Sequence, residues 1–555
     1  MDFLIEKEIS KSGHDIVKVN SLYLHSKYNP IREAEVFLKE EYKPHHLHIV
    51  FGYGYGYVVD NLIKKCQFNE PVLVLDPLVD VGQFQINHSY GRLYYADLKD
   101  KSKVIDYIDQ LSSYSTNVHV IVSMNYNKLF PTEFKAVLEY VKNNHYKQGS
   151  NLATAKHYAF AWQKNLLLNT QSIKDDYSLN ILKDLYSAPI VIASGGPSLI
   201  KQLNLLKQYR DQIILICAGS TINALISNGI YPDYVVSVDG GEPNFKHFKD
   251  LKFNQSVGLI YGPTNHYKVR YSFDGPCYTF IPSVKPQYKE YFKDRFNKEL
   301  PLIDGGGSVA HYALSIAKYI SKGPIALIGQ DLALTNNQSH ADGVKGNKSI
   351  EQLPENSRFY VEGYYGDTVV TTQTLNIMLN SFNEPPLSNI SRENLWNCTE
   401  GGAKIKSIEQ IEFKEFLYNN VDHKVEKIVN NSSGNKSIAT INNFIDNELK
   451  NYTEILKLLN KGIKLIQNSL GIRLNKYELD QLGKIEKELN KLYKKYCIET
   501  LLEPVLDRCS QQYLPTVGET QSEASIRAKN YALDLYITCS EQISLFIEQL
   551  KIEEL

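Results

Sequence analysis

Three apolar runs between residues 188 and 239 constrain the fold of this chain more than any other feature. The runs at residues 189–193, 213–218 and 234–238 each have the length of a buried strand and end on small or acidic residues. Helix-length segments separate them. This alternation is typical of a doubly wound α/β sheet, in which ligands bind beyond the carboxyl ends of the strands. The stretch therefore predicts a nucleotide site.

The chain has 555 residues, which is too long for a single core. We predict a Rossmann-like α/β domain at residues 1–150, a connecting helix at 151–187, a catalytic α/β domain that binds a nucleotide sugar at 188–405, and an all-α bundle at 406–555. The bundle is predicted because apolar residues recur there at three- and four-residue spacing, with breaks near residues 432–434 and 514–516.

The composition disfavours several classes of partner. Lys and Arg number 61 against 62 Asp and Glu, so no bulk field attracts nucleic acid. The seven cysteines are scattered without a CxxC pair, which disfavours disulfide frameworks and zinc sites. No secretory signal and no apolar run of roughly 18 residues is present, so we expect a cytoplasmic protein without membrane insertion.

A glycine-rich loop also follows a strand near the start of the chain. Gly52, Gly54 and Gly56 lie between a strand pattern at residues 48–51 and a helix pattern at 57–65, and a second strand pattern ends at Asp76. This arrangement is similar to a dinucleotide or adenosyl-methionine fingerprint, but the third glycine comes one residue too early. The alternative is a structural loop that uses glycine for a tight turn.

Two further glycine turns lie in the predicted central domain. The first comprises Ser194, Gly195, Gly196, Pro197 and Ser198. The second runs from Asp304 through Gly305, Gly306 and Gly307 to Ser308, which is placed to cap a helix at residues 309–320. Free backbone N–H groups and the helix dipole at such turns favour a phosphate. Neither turn is a Walker A loop, because neither continues as Gly-Lys-Ser/Thr.

Four side chains at predicted strand ends or in loops are candidates for the chemistry. Asp239 and Glu242 flank a Gly-Gly turn, and they are either cation ligands or hydrogen-bond acceptors for a hydroxyl. The alternative is a structural role, in which Asp239 holds the turn by accepting from backbone amides. Asp331 has the same two interpretations. His340, in a long polar loop at residues 336–367, is the histidine best suited to act as a general base.

These motifs resemble a known family. Six segments resemble the motifs of the motility-associated factor family of flagellin glycosyltransferases, both in their residues and in their order along the chain. They are residues 192–199, 217–221, 237–242, 307–310, 328–333 and 399–403. The turn at 196–199 is also similar to that of bacterial sialyltransferases. The resemblance covers about residues 188–405. It implies a sialyltransferase-like doubly wound central domain.

The resemblance further implies an O-glycosyltransferase that moves a nonulosonic acid, of the pseudaminic or legionaminic type, from its CMP-activated form to Ser or Thr hydroxyls of flagellin. No cofactor is firmly implied, and a metal requirement stays open. Catalysis is assigned to His340, Asp239, Glu242 and Asp331. Donor binding is assigned to Ser194, Gly195, Gly196, Pro197, Ser198, Ser220, Thr221, Asn265, Gly306, Gly307, Ser308, Gln330 and Glu400.

Two alternatives remain open from the sequence. The Gly-Pro-Ser turn is shared with archaeal hydroxymethylpterin pyrophosphokinases, which implies an enzyme that uses ATP and Mg²⁺, with Asp239 and Glu242 as metal ligands. The other alternative is a non-catalytic protein that binds flagellin.

Overall fold

A computed structural model describes residues 3–67, 70–78, 92–112, 117–251, 253, 256–341, 350–384, 386–427, 438–516 and 519–552. The chain forms two compact units. The first comprises Met1–Ala153 and Thr516–Gly518, and the second comprises Thr154–Pro515 and Glu519–Leu555. Both units contain a parallel sheet, and the second also contains a helical bundle, so the predicted α/β class with a helical tail is confirmed.

The first unit begins with an antiparallel sheet and continues as a parallel sheet with helices. In chain order its elements are β1 (Ile5–Ile9), β2 (Asp15–Val19), β3 (Leu22–Tyr23), α1 (Pro30–Glu41), β4 (His46–Phe51), α2 (Tyr57–Lys65), β5 (Val72–Leu75), β6 (Leu93–Ala96), α3 (Lys101–Ser112), β7 (Asn117–Val122) and α4 (Tyr126–Leu129). The parallel sheet has the order β6-β5-β4-β7. This is the Rossmann-like arrangement that the sequence predicts.

Side chains of the first unit accept hydrogen bonds from the backbone amides of the glycine-rich loop at residues 52–56. Asp76 accepts from two consecutive amides of the loop at 2.7 and 3.3 Å, and Nε2 of His25 accepts from the next amide at 3.0 Å. A β-carbon on Gly52 would lie 2.3 Å from the ring of Tyr126. The geometry favours the structural interpretation of this loop, because internal groups occupy the amides that a phosphate would need.

A single helix of 45 residues, α5 (Pro131–Asp175), runs from the first unit into the second. It differs in its bounds from the connecting helix predicted at 151–187. It begins earlier, with a proline, a residue that suits the first turn of a helix. It ends before the short strand β8 (Tyr177–Ser178). Leu166 and Leu167 of the predicted apolar stripe are buried.

The second unit continues with alternating strands and helices. The strands are β9 (Ile190–Ala193), β10 (Ile214–Ala218), β11 (Tyr234–Ser237), β12 (Gly258–Tyr261), β13 (Cys277–Thr279), β14 (Ile281–Pro282), β15 (Leu302–Ile303), β16 (Ile325–Ile328), β17 (Arg358–Glu362), β18 (Thr368–Thr372), β19 (Leu395–Asn397) and β20 (Glu409–Gln410). The helices are α6 (Leu199–Gln208), α7 (Thr221–Ser227), α8 (Glu242–Phe245), α9 (Tyr267–Tyr271), α10 (Gln287–Phe296), α11 (Val309–Ile320), α12 (Gln373–Asn383), α13 (Phe413–Asn420), α14 (Ile438–Gln467), α15 (Lys476–Tyr496), α16 (Glu499–Gln512) and α17 (Gln521–Ile552).

The main sheet is parallel, with the order β20-β19-β16-β9-β10-β11-β12-β13-β8. From β9 the chain moves outward through β10 to β13, and it then returns to β16 on the other side of β9. The topological switch point, where doubly wound sheets bind their ligands, therefore lies at β9 and β16. β9 is entirely buried, as expected of a central parallel strand covered on both faces.

Helix α11 covers one face of the sheet. It has the predicted bounds, packs against β9, β10 and β11, and buries nine of its residues. It connects β15 to β16 and runs opposite to the strands, so its N-terminus lies at the carboxyl edge of the sheet. The second glycine turn is thereby placed at the same edge as the first.

The tail forms a helical bundle within the second unit, as predicted. Ile445, Tyr452 and Ile455 of α14 are buried together with Leu489 of α15 and Phe546 of α17. The predicted break at residues 514–516 separates α16 from α17, whereas the one at 432–434 lies outside the described residues. Among the residues described, no helix is both long and apolar enough to cross a membrane.

The polar segment at residues 336–367 contains a strand that the sequence analysis interpreted as loop. Within it β17 pairs antiparallel with β18, and Val361 and Val369 face each other and pack against the core. The cause is the alternation of apolar and polar residues in β17, which stabilises a half-buried strand despite the polar flanks. Residues 342–349, including Asp342, lie outside the described part.

Candidate active site

The first glycine turn is tied to the end of β16. The amide of Gly196 donates to the carbonyl of Gly329 at 2.8 Å, and the hydroxyl of Ser198 donates to Oδ2 of Asp331 at 2.7 Å. A β-carbon on Gly196 would lie 2.1 Å from Oδ1 of Asp331, so only glycine allows this approach. The turn that leads from β9 into α6 therefore contacts the neighbouring strand end directly at the switch point.

Asp331 is almost fully shielded from solvent, with 2% exposure. Its carboxylate accepts from the amide and hydroxyl of Ser198 and, at 2.5 Å, from the hydroxyl of Thr335. Burial raises the pKa of this carboxyl, and the hydrogen bonds oppose that shift. Its carbonyl accepts from the amide of Ala403 at 2.7 Å. Asp331 thus holds three segments of the edge together.

Ser194 and Gln330 form a second link between the same strand ends. The hydroxyl of Ser194 donates to Oε1 of Gln330 at 2.6 Å, and the amide of Gln330 donates to Oγ1 of Thr399 at 3.1 Å. Ser194, Gln330 and Pro197 are buried, whereas Gly195 is half-buried. These bonds fix the shape of the first turn.

Glu400 follows β19, and both its backbone carbonyl and its side-chain carboxylate accept hydrogen bonds from the protein. Its backbone is left-handed, with φ of 56°, and its carbonyl accepts from Nζ of Lys201 at 2.6 Å. Its carboxylate accepts from the amide of Phe413, the first residue of α13, at 3.0 Å. A carboxylate at a helix start is stabilised by the unpaired amides of the first turn. Glu400 therefore anchors α13 next to the sheet edge.

The second glycine turn is more open than the first. Gly306 and Gly307 are exposed, and among the described residues their amides have no hydrogen-bond acceptor. They precede the twelve-residue helix α11, so their N–H groups add to those of its first turn. Unpaired amides and the positive end of a helix dipole form an anion site.

His311 fixes the conformation of this second turn. Its Nδ1 accepts from the amide of Ser308 at 3.0 Å, and its Nε2 donates to the carbonyl of Met378 at 3.0 Å. Burial lowers the pKa of His311 to about 4, so the ring is neutral near pH 7. Ser308 itself is half-buried, and its hydroxyl donates to the same Nδ1 at 3.1 Å.

The end of β10 lies beside the second turn. A β-carbon on Gly219 would lie 3.6 Å from Cγ2 of Val309, the first residue of α11. Ser220 is half-buried, whereas Thr221 is 1% exposed. Of the two hydroxyls, that of Ser220 is therefore the better placed for a ligand at the edge.

Asp239 follows β11 and leaves its carboxylate open. The side chain reaches solvent, while the surrounding protein raises the pKa of its carboxyl. Its carbonyl accepts from the amide of His266 at 3.0 Å and from Nδ2 of Asn244 at 2.7 Å. A β-carbon on Gly240 would lie 2.7 Å from Cδ1 of Trp162. The turn after β11 therefore packs closely against α5 on one side and the loop that follows β12 on the other.

Glu242 forms an ion pair or hydrogen bond with a histidine of the next strand loop. Its Oε2 lies 3.0 Å from Nε2 of His266, and the two side chains are 57% and 9% exposed. The His266 ring stacks on Phe245 and Tyr267, at centroid distances of 5.2 and 5.3 Å. Burial lowers the pKa of His266, and Glu242 opposes that shift.

Asn265 is fully buried and belongs to the support of these loops. Its Oδ1 accepts from the hydroxyl of Ser237 at 2.8 Å. Asn169 of α5 donates to its carbonyl at 2.7 Å, and Asn165 donates to the carbonyl of Gly240 at 2.9 Å. Helix α5 therefore holds the ends of β11 and β12 in place.

His340 lies next to the first glycine turn. The amide of the following residue, Ala341, donates to the carbonyl of Gly195 at 2.9 Å. The ring is half-buried, its Nδ1 is 2.9 Å from Oγ of Ser339, and burial lowers its pKa. A neutral imidazole at this position is in the form that accepts a proton.

The structure brings the residues predicted for the site to one edge of the sheet, but in two roles. The groups that reach solvent, at least in part, are Gly195, Ser220, Asp239, Glu242, Gly306, Gly307, Ser308, His340 and Glu400. The groups that are buried and bind other parts of the protein are Ser194, Pro197, Ser198, Thr221, Asn265, Gln330 and Asp331; Gly196 is half-buried and tied by its amide to β16.

Sequence reasoning missed His266, Asn165 and Asn169. The two asparagines had a signal, because they are four residues apart and share a helix face with Trp162. Buried amides of that kind need partners. His266 had no such signal, since its partner Glu242 becomes a neighbour only when two strands pair.

Comparisons with known proteins agree with this architecture. The family model of the 6-hydroxymethylpterin diphosphokinase MptE-like group matches residues 164–337. The structure of MAf glycosyltransferase from Magnetospirillum magneticum AMB-1 is similar to this chain with a TM-score of 0.60 and 12% identity, over 99% of this chain and 93% of that one. No curated protein matches.

The fold is therefore that of the MAf glycosyltransferase over essentially the whole chain. The resemblance to motility-associated factors identified in the sequence is confirmed as a likeness of fold. The match of the family model falls on α5 and the main sheet up to the end of β16, which includes both glycine turns.

Proposed function

We propose that this protein is a glycosyltransferase that moves a nonulosonic acid of the pseudaminic or legionaminic type from its CMP-activated form to Ser or Thr hydroxyls of flagellin. The observation that carries the proposal is the open second glycine turn, in which the amides of Gly306 and Gly307 have no acceptor among the described residues and lie at the start of α11 beside the switch point. The fold shared with the MAf glycosyltransferase supports the same reaction class.

In this proposal the second turn binds the phosphate of CMP. The amides of Gly306 and Gly307 donate to the phosphate oxygens, and the hydroxyl of Ser308 turns from Nδ1 of His311 to donate to them as well. Ser220 is the adjacent hydroxyl at the end of β10. Such donors stabilise the charge that develops on the departing nucleotide. The first turn has a supporting role, because Ser198 is only 1% exposed and donates to the buried Asp331.

The proton of the acceptor hydroxyl requires a base at the same edge. Asp239, Glu242 and His340 reach solvent there. The carboxylate of Asp331, by contrast, already accepts hydrogen bonds from the hydroxyls of Ser198 and Thr335. Asp331 is therefore proposed as a positioning residue. The helices after residue 406 and the first unit are proposed to recognise the folded acceptor, on the analogy of the shared fold alone.

The proposal is tested by calorimetric titration of the whole protein with CMP. We expect Ser308→Ala to weaken CMP binding about tenfold, which corresponds to about 1.4 kcal/mol, because a hydrogen bond to a charged group is lost. Ser227→Ala, a helical serine on α7 away from the strand ends, is the matched control and should bind CMP normally.

Absence of any CMP signal at millimolar concentration would contradict the proposal. Binding of flagellin without any nucleotide binding would instead favour a non-catalytic flagellin-binding protein. A difference in the mass of flagellin from strains with and without the gene would support transfer in the cell.

A second function, transfer of diphosphate from ATP, is favoured by the match to the MptE-like family model. In that case Asp239 and Glu242 would hold a divalent cation on the phosphates. No cluster of three or more metal-ligating side chains occurs in the described part of the chain. ATP binding that depends on Mg²⁺, without a response to CMP, would select this function over the first.

A further inference from the structure

The loop after β12 contains a histidine, His266, that no sequence motif predicted to be a site residue. Nε2 of His266 lies 3.0 Å from Oε2 of Glu242, the first residue of the short helix α8 that follows the neighbouring strand β11. The histidine side chain is 9% exposed and the carboxylate side chain is 57% exposed. The pair thus has a buried member and a member that is open to the sheet edge.

The surroundings of His266 fix the orientation of its ring and determine which ring nitrogen carries the proton. Its ring is held between Phe245 and Tyr267, and its amide donates to the carbonyl of Asp239. Nδ1 is buried and has no hydrogen-bond partner among the described residues. A lone pair is less costly to bury than an N–H group without an acceptor, so the ring is neutral and carries its proton on Nε2.

The charges around the ring favour the same state. Burial has the largest effect on His266, and Lys164 and Lys268 also disfavour its charged form, while Glu242 favours it. Both ammonium groups lie over the Tyr267 ring, at 5.5 and 5.7 Å from its centroid. A neutral His266 therefore donates one hydrogen bond to Oε2 of Glu242, and Oε1 remains for a ligand.

We propose that Glu242 is the base that accepts the proton of the acceptor hydroxyl, and that His266 is the residue that positions it; this rests on the proposed glycosyl transfer. In the step, the bond between the anomeric carbon and the phosphate oxygen breaks, and CMP leaves with the electron pair. The acceptor oxygen forms the new bond to the anomeric carbon. Its proton passes to Oε1 of Glu242.

The test measures transfer from CMP-activated pseudaminic acid to purified flagellin, together with CMP binding. Glu242→Gln should lower kcat at least 100-fold and leave the Kd for CMP within twofold, because a general base contributes about 10²–10⁴ in rate. His266→Ala should lower kcat roughly 10- to 100-fold. His266→Gln keeps an N–H donor where Nε2 stood and should retain most of the rate.

The split between kcat and KM, together with rescue by the conservative variant, distinguishes positioning from simple structural support. A positioning residue acts on the step in which the acceptor hydroxyl loses its proton, so His266→Ala should lower kcat and leave the KM for flagellin and the Kd for CMP within about twofold, and His266→Gln should restore most of kcat. His157→Ala, at an exposed histidine of α5, is the control and should leave kcat and the KM for flagellin unchanged. If His266→Ala fails to fold, His266→Gln and Glu242→Gln decide.

A kcat of Glu242→Gln within threefold of wild type would overturn the assignment of the base. A kcat of His266→Ala within threefold of wild type, or a loss of rate in His266→Gln as large as that in His266→Ala, would overturn the positioning role. If the wild-type protein does not bind CMP, the proposed function fails and this inference fails with it. CMP binding with intact transfer in both Glu242→Gln and His266→Ala would leave the function standing and remove only the inference.

Discussion

The two units each carry a glycine-rich loop after a strand, and the loops differ in what their amides bind. In the first unit, Asp76 and His25 accept from three consecutive amides of the loop at residues 52–56. In the second unit, the amides of Gly306 and Gly307 have no acceptor among the described residues. A glycine pattern therefore indicates a close backbone approach, and only the surrounding groups decide whether a ligand or the protein makes that approach.

The largest expected effect is on the loop of the first unit. Asp76→Ala removes the acceptor of two loop amides, of the Tyr126 hydroxyl and of the Leu78 amide. Leaving these buried donors unpaired should destabilise the unit by roughly 4 kcal/mol. Hydrogen exchange of residues 46–65 measures this loss.

CMP binding to Asp76→Ala should remain normal if the two loops have the roles described. Glu35→Gln, at an exposed position of α1, is the control for stability. Unchanged exchange in Asp76→Ala would show that the loop does not depend on this carboxylate.

The next effect is a dependence on pH that the two loops share. Burial lowers the pKa of both His25 and His311 to about 4, and each ring accepts from a backbone amide of its loop. The unfolded histidine titrates near 6.5, so this stability is fully present above that pH and is lost as the pH falls toward 4. When the pH is lowered from 7.5 to 5, each histidine should decrease the free energy of unfolding by about 2 kcal/mol.

Thermal unfolding at pH 7.5 and 5 measures this loss. His25→Gln and His311→Asn keep an acceptor near the original nitrogen without its titration, so each should flatten the pH dependence. A dependence as steep in both variants as in the wild type would contradict the assignment.

The smallest effect is expected at Gly307 of the second turn, in contrast to Gly54 of the first unit. Gly54 has φ of 56°, and a β-carbon there would lie 2.5 Å from the His25 ring, whereas one on Gly307 would lie 3.7 Å from its nearest neighbour, Met378. Gly307→Ala should therefore change stability by less than about 0.5 kcal/mol, and Gly54→Ala should cost more than about 2 kcal/mol. Denaturant unfolding compares the two variants, and an equal cost would contradict the open geometry of the second turn.

The sequence predicted the elements whose signals are local. The bounds of α2 and α11 match the predicted segments, because each has an apolar helical pattern with a glycine or serine at its start. The apolar runs before Ser194, Gly219 and Asp239 are strands of one parallel sheet. The strand β17 was missed because its alternation of apolar residues lies within a polar segment.

The roles of individual site residues depended on contacts that the sequence does not contain. Ser198 and Asp331 are 133 residues apart, and their hydrogen bond turns two predicted ligand groups into a support of the turn. Asn265 is buried in the same manner by Ser237 and Asn169. Conversely, the neutral His266 beside Glu242 emerges only from the pairing of β11 with β12.

The most direct test of the central claim is a crystal structure of the whole protein with CMP bound. We predict that the phosphate lies within hydrogen-bond distance of the amides of Gly306 and Gly307 and of the hydroxyl of Ser308, with Ser198 still bonded to Asp331. A phosphate held instead by the loop at residues 52–56, or by a cation on Asp239 and Glu242, would contradict the account.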